Sequence, residues 1–307
     1  MTEDTSSTPS GPDSGASLDG VAADLAKNGS SPSTSIAESQ TQRRGDLGLD
    51  VTVAHNARVW NYWLGGRDNF AADREVGEQV RQIFPGIVDV ARADRAFLGR
   101  AVRYLADEAG IRQFLDIGTG LPTADNTHEV AQQVAADSRI VYVDNDPLVL
   151  VHARALLVGT PEGATSYIDA DIHDPGSILQ AAAETLDFTK PTAVLFLGSL
   201  NFVLDTDTAA SVVGHVMGRV PSSSYLVIAH PTFELGGEAN AESMRHWNEH
   251  ATPPITPRGR GEIARFFRGL ELLEPGIVSC SRWRPEPTRS GGLPPEVPQF
   301  GAVARKP

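Results

Sequence analysis

The chain has 307 residues, 40% of them hydrophobic, a formal net charge of −13 and one cysteine. That length buries a full core and suits one domain plus a tail, while the acidic balance argues against a nucleic-acid backbone as partner. Cys280 cannot form an intrachain disulfide, the longest strongly apolar stretch (Ala193 to Leu204) is too short to cross a bilayer, and the N-terminus has no apolar signal core. No membrane partner and a cytoplasmic location are therefore expected.

Residues 1–48 are rich in Ser, Thr, Gly, Pro and Asp. They hold too few large apolar side chains to offset an ordering cost of roughly 1–2 kcal/mol per residue, so a disordered tail is expected. Residues 49–307 read as one domain, with 49–110 a helical lid and 111–307 the core.

In the lid, Asn56 to about Leu64 reads as a helix closed by Gly65 at the position after the cap. Trp60, Tyr62 and Trp63 mix there with Asn61, Arg67 and Asp68. A plain core helix and a flap over a ligand both fit. A second helix runs from Phe70 to Phe84 and breaks at Pro85-Gly86. A third, Ile87 to Ala109, carries Val90, Ala91, Phe97, Leu98, Ala101, Val102 and Leu105 on one stripe and ends at Gly110. Arg95, Arg100 and Arg103 read as solvated or bonded to lid carbonyls.

Strand and helix signals then alternate. Strands are expected at 113–117, 140–144, 165–169, 192–198 and 224–230, and helices at about 125–136, 147–158, 175–186 and 206–219. That pattern argues an α/β fold with a parallel sheet and helices on both faces. Asp146-Pro147 and Asp174-Pro175 are helix starts with Asp as cap and Pro in the first turn, and Asp205 caps a further helix. Glu234 to Ala251 holds a helix with Met244 and Trp247. Glu262 to Gly269 is a short helix, and Leu270–Val278 and Gln299–Arg305 are closing strands.

The first core strand runs into Gly118-Thr119-Gly120. Both glycines can take φ > 0 and admit a ligand close to the backbone. A dinucleotide fingerprint requires a small residue where Thr123 stands, and its strand tip is apolar where this chain has Asp116. A carboxylate there suits a positive group such as an amino-acid ammonium. Asp144 stands 24 residues past Gly120, the spacing at which such folds bring an acid to ribose hydroxyls. Right-handed crossovers bring Asp116, Asp144, Asp171 and Ser199 to one sheet edge. Asp169, Asp171 and His173 alternate on one face, but acids crowd strand tips in this architecture and no metal site is expected.

These segments, with Asn56–Phe70, Arg95–Tyr104 and Val143–Pro147, resemble an actinobacterial family of S-adenosyl methyltransferases within the class I superfamily. The resemblance covers about residues 50–307. It implies a Rossmann-like, mostly parallel seven-stranded sheet whose last strand is antiparallel and slots between its neighbours, under an N-terminal helical lid. It also implies S-adenosyl-L-methionine as cofactor. In that frame the Gly118 and Gly120 backbone meets the methionine part, with Asp116 near its ammonium. Asp144 takes the ribose, Asp171 and the Ile172 N–H take the adenine, Ser199 lies near the methyl, and Thr119, Asn145 and the lid residues Tyr62 and Gly65 are counted among the cofactor-binding residues. Asn201 stands where many members are expected to carry histidine, which removes the basis for a shared general base.

The resemblance implies no substrate; a small-molecule methyl acceptor is expected and a homodimer is left open. Methyl transfer needs binding, alignment and exclusion of water more than a fixed catalytic group. Weak candidates for a base are His230, Tyr62, Asp68 and His128. A non-catalytic cofactor sensor is the main alternative and a nicotinamide oxidoreductase a weaker one. No Gly-x-Ser-x-Gly elbow supports a serine hydrolase.

Overall fold

The computed structural model describes residues 50–122, 125–156, 159–287 and 291–307. The expected tail and Thr123 lie outside the described residues. The chain opens with a two-residue strand, β1 (Ala54–His55), followed by helices α1 (Asn56–Trp63), α2 (Ala71–Ile83) and α3 (Ile87–Asp107). The core then alternates β2 (Gln113–Ile117), α4 (Thr127–Val134), β3 (Arg139–Asp144), α5 (Pro147–Leu156), β4 (Ala164–Asp169), α6 (Pro175–Ala182), β5 (Ala193–Leu197), α7 (Thr206–Arg219) and β6 (Tyr225–Pro231). Beyond it come α8 (Gly237–His250), β7 (Ala251–Thr252), the single turn α9 (Arg260–Ile263), β8 (Glu271–Leu272), β9 (Val278–Ser279) and β10 (Gln299–Arg305).

The sheet order is β4-β3-β2-β5-β6-β10-β8, with β9 also on β10. β2 to β6 are parallel, and β10 runs antiparallel to β6 between it and the two short strands. The fold is thus a class I Rossmann-like sheet, as the resemblance implies. The expected strand over 270–278 is instead two short pieces. A turn closed by Gly276 N–H donating to the Leu273 carbonyl separates them. Pro275 has no N–H to give a ladder and Gly276 takes φ +81°, so an unbroken strand cannot form there.

Helices cover both faces because the inner strands are apolar on both sides. All of β2 is buried. Leu115, Val194 and Ile228 face a core closed by Ile178, Val212 and Val216. Phe114, Leu195 and Val227 face the opposite core, which Phe97, Leu98, Val102 and Leu105 of α3 complete. The whole expected stripe of α3 is buried, and Gly110 at φ +68° ends the helix. Asp146, Asp174 and Asp205 each accept a backbone N–H at a helix start, from Leu148, Ser177 and Thr208.

The lid is not built from the N-terminal region alone. β1 pairs in parallel with β7, so the segment before α1 is zipped to the segment after α8. Val59, Trp63, Val76, Val80 and Trp247 close one small core shared by α1, α2 and α8. Arg100, expected to be solvated or to hold lid carbonyls, instead donates to the carbonyls of Trp283 and Cys280 and pins the C-terminal segment.

Candidate functional site

The turn after β2 has the left-handed geometry that its glycines allow. Gly118 takes φ +81° and Gly120 φ +67°. A Cβ on Gly118 would lie 2.3 Å from the Ser199 Cβ, so the loop after β5 closes against bare backbone. Gly118 and Thr119 donate to the Val143 carbonyl. Asp144 accepts the Gly120 N–H on Oδ2 at 2.7 Å and the Asp146 N–H on Oδ1 at 3.0 Å.

A cleft opens beside this turn at the carboxyl edge of the sheet. Gly118, Gly120, Asp144, Asn145, Asp171, Ile172 and Ser199 all line it. Burial pushes the Asp144 carboxyl above its ordinary value, against the two N–H groups that it accepts. Asp171 is more open, and the N–H and ring of His173 hold its carboxyl below the ordinary value. His55 roofs the cleft from β1. Its Nδ1 meets Asp146 Oδ2 at 2.9 Å, and its backbone N–H donates to Asp73 Oδ1. Asp73 also accepts the Phe70 N–H and faces Arg58 at 3.2 Å, so one buried acid ties both ends of the lid segment together.

On the other side of the turn lies a chamber. Gly118, Gly120, Asn56 and Ala57 border both spaces. The walls of the chamber include Trp60, Trp63, Met244 and Trp247 from the lid, and Asp94, Arg95, Asp116, Asn201 and Gln299 from the core. Asp116 Oδ2 accepts the Thr127 hydroxyl at 2.7 Å, and Asp94 Oδ1 accepts Gln299 Nε2 at 2.6 Å. Burial raises both carboxyls to about 6. Arg95 reaches the start of α4, donating to the Asp125 carbonyl and Asn126 Oδ1.

Several candidates point elsewhere. Tyr62 turns away from both spaces and donates to Glu78 on α2, because Gly77 leaves room for its ring there. Gly65 closes α1 at φ +81° and lines neither space; its neighbour Leu64 lines the chamber. Asp68 pairs with His152 Nε2 at 3.0 Å and ties the lid to α5. His230 is buried, with Nδ1 on the Pro231 carbonyl and Nε2 on Arg258 Nη1. An arginine donates only, so Nε2 is the acceptor and the ring is neutral. Burial takes it down to about 3, which leaves no base free for a substrate. His128 has its Nδ1 on the Tyr142 hydroxyl in the core. The sequence reading passed over Asp94 and Gln299. Asp94 could have been found, since it interrupts the buried stripe of α3 between Ala91 and Phe97.

A family model described as S-adenosyl methyltransferase matches residues 41–307. The chain belongs to the S-adenosyl methyltransferase family.

Two solved structures carry the same fold at high similarity. A DUF574 family protein from Streptomyces avermitilis is 45% identical, with 84% of this chain and 99% of that chain covered and a TM-score of 0.80. A candidate methyltransferase from Thermobifida fusca is 41% identical, with 84% and 97% covered and a TM-score of 0.77. No curated protein matches the chain.

S-adenosyl-L-methionine is the cofactor of this methyltransferase family, and the residues present fit it. Ser199 Oγ is buried without a hydrogen-bond partner among the described residues, against a glycine that has no room for a side chain. An orphaned hydroxyl and a bare turn between acidic strand tips suit a nucleoside bearing an amino acid. No helix among the described residues is long and apolar enough to cross a membrane.

Proposed function

We propose that this methyltransferase moves a methyl group from S-adenosyl-L-methionine to a small-molecule acceptor by in-line displacement. The observation that carries the reading is the shared border at Gly118 and Gly120. The cleft and the chamber meet at one bare turn, so a cofactor in the cleft would present its reactive end to an acceptor in the chamber. A sensor has no use for a second space beside the methyl.

Bound cofactor supplies a methyl already activated on a sulfonium, and the chain's own residues have to hold and aim the partners. Asp144 and Asn145 are assigned to the ribose. Asp144 spends one acceptor site of each oxygen on backbone N–H groups, and a carboxylate has about four, so ribose hydroxyls still find acceptors. Asp171 and the Ile172 N–H are assigned to the adenine. The Gly118–Gly120 turn is assigned to the amino-acid end, together with Asp116, which lies on the chamber side of that turn. The lid tryptophans keep water from the chamber, where good alignment is worth roughly 7–11 kcal/mol of barrier.

Calorimetric titration with S-adenosylhomocysteine and with NADH tests the cofactor, and incubation of a small-molecule extract with methyl-labelled S-adenosylmethionine tests the transfer. Binding of the first ligand alone and label in a small-molecule fraction are expected. Binding without any labelled product would favour a sensor, and NADH binding would end the reading.

A further inference from the structure

The chamber has a chemistry of its own. Asp94 is 5% exposed, and Gln299 occupies only its Oδ1. Its Oδ2 has no hydrogen-bond partner among the described residues, and the side chain lines the chamber. Asn201, 4% exposed, lines the same chamber, and its Oδ1 is buried with no hydrogen-bond partner among the described residues. Two acceptors left open in a largely apolar space call for a ligand that donates.

The walls narrow the choice. Trp63 and Trp247 spend their indole N–H groups on the carbonyls of Gly77 and Pro253, which leaves ring surface for the chamber. Trp60 packs edge-on against Trp63 at 5.8 Å and lines it too. Aromatic rings attract cations and stack on other rings. The charged groups on the chamber are Asp94, Asp116 and Arg95, and Arg95 is directed at the start of α4. Asp116 is assigned to the cofactor, which leaves Asp94 as the acid for a second ligand; burial raises its carboxyl even with Arg95 nearby, and a cation beside it would offset that cost.

We propose that the methyl acceptor is a ring-bearing organic amine, whose ammonium is held by Asp94 and Asn201 between the tryptophans of the lid. This rests on the transferase reading and adds the class of its acceptor. The ammonium is the handle by which the acceptor is recognised; the atom that receives the methyl is a separate matter. An acceptor with a carboxylate at that position would face Asp94 directly and be rejected.

The test uses the full chain saturated with S-adenosylhomocysteine, titrated with tryptamine and with indole-3-propionate, which share a ring and differ in charge. Tryptamine is expected to bind about tenfold tighter or better. Asp94→Asn, which keeps an oxygen for Gln299, is expected to bring the two probes within about threefold while leaving S-adenosylhomocysteine affinity within about twofold. Equal binding of the probes, no binding of tryptamine, or discrimination that survives Asp94→Asn would overturn the proposal. A roughly tenfold loss of S-adenosylhomocysteine affinity in Asp94→Asn would also overturn it, by giving that acid to the cofactor. Should that variant not fold, Asn201→Ala is expected to weaken tryptamine several-fold, and an unchanged affinity would count against the proposal. Failure of wild-type protein to bind S-adenosylhomocysteine is a separate result and strikes the transferase reading itself.

Discussion

Asp144 Oδ2 accepts the backbone N–H of Gly120 at 2.7 Å. The acid at the tip of β3 therefore holds the turn that follows β2, before any ligand is considered. The same carboxylate caps the backbone of Asp146, whose other contacts reach His55 in the lid. Turn and strand tip are joined by hydrogen bonds, and the His55–Asp146 contact ties the roof to them.

Asp144→Ala removes the acceptor for both N–H groups as well as the assigned ribose partner. Losing partners to buried polar groups costs about 1–3 kcal/mol, so S-adenosylhomocysteine affinity should fall roughly tenfold or more by calorimetry. Asp144→Asn keeps one acceptor oxygen and should lose less. Equal affinity in wild type and Asp144→Ala would remove the acid from the cofactor site.

Gly118→Ala puts a Cβ 2.3 Å from the Ser199 Cβ and a side chain on a backbone at φ +81°. Strain of that kind costs about 1–3 kcal/mol, which denaturant unfolding would register. Adding Ser199→Gly deletes the opposing atom and should restore part of the loss; no restoration would place the strain in φ alone. Gly99→Ala is the contrast. Nothing lies within 4 Å of its Cβ position on α3, and the change should be neutral or stabilising by up to about 1 kcal/mol.

Arg258 is buried and donates to Thr206 Oγ1, to the Leu200 and Val203 carbonyls and to His230 Nε2. Arg258→Lys cannot reproduce that fork and should destabilise by about 3 kcal/mol or more. His230→Ala should cost about 1–3 kcal/mol by leaving an Arg258 N–H unpaired, and should leave the pH profile of methyl transfer between 5 and 8 unmoved. A lost limb in that profile would return His230 to the chemistry.

Asp94 and Asp116 are raised to about 6, first by burial, above an unfolded value near 4. Between those values the native state binds more protons than the unfolded chain. The stability that this confers is complete below about pH 4 and is lost as pH rises through about 6. Asp94→Asn has no charge to bury. Relative to wild type it should gain on the order of 1–3 kcal/mol at pH 7.5, and the gain should fade toward pH 4. Paired unfolding curves at the two pH values check this; a gain independent of pH would mean that the acid is not raised.

Much of the frame was written locally. The strand-helix alternation, the glycine turn, the proline-led helix starts and the acids at strand tips each arise from a few adjacent residues, and the sequence by itself determined them. Asp144, Asn145, Asp171, Ile172 and Ser199 reached one cleft because parallel crossovers bring strand ends to a common edge.

Only the tertiary structure decided what faces that edge from outside the sheet. Asp94 and its partner Gln299 are separated by 205 positions, and the strand that carries Gln299 enters the sheet last, between β6 and the short closing strands. The periodicity of α3 told which side was buried, but not that the acid on it would meet a chamber. Tyr62 went to α2 because a glycine there left space, and His230 went to Arg258 because the loop after α8 returned an arginine to it. A polar side chain takes the partner that three-dimensional packing delivers, and no local pattern along the chain encodes that meeting.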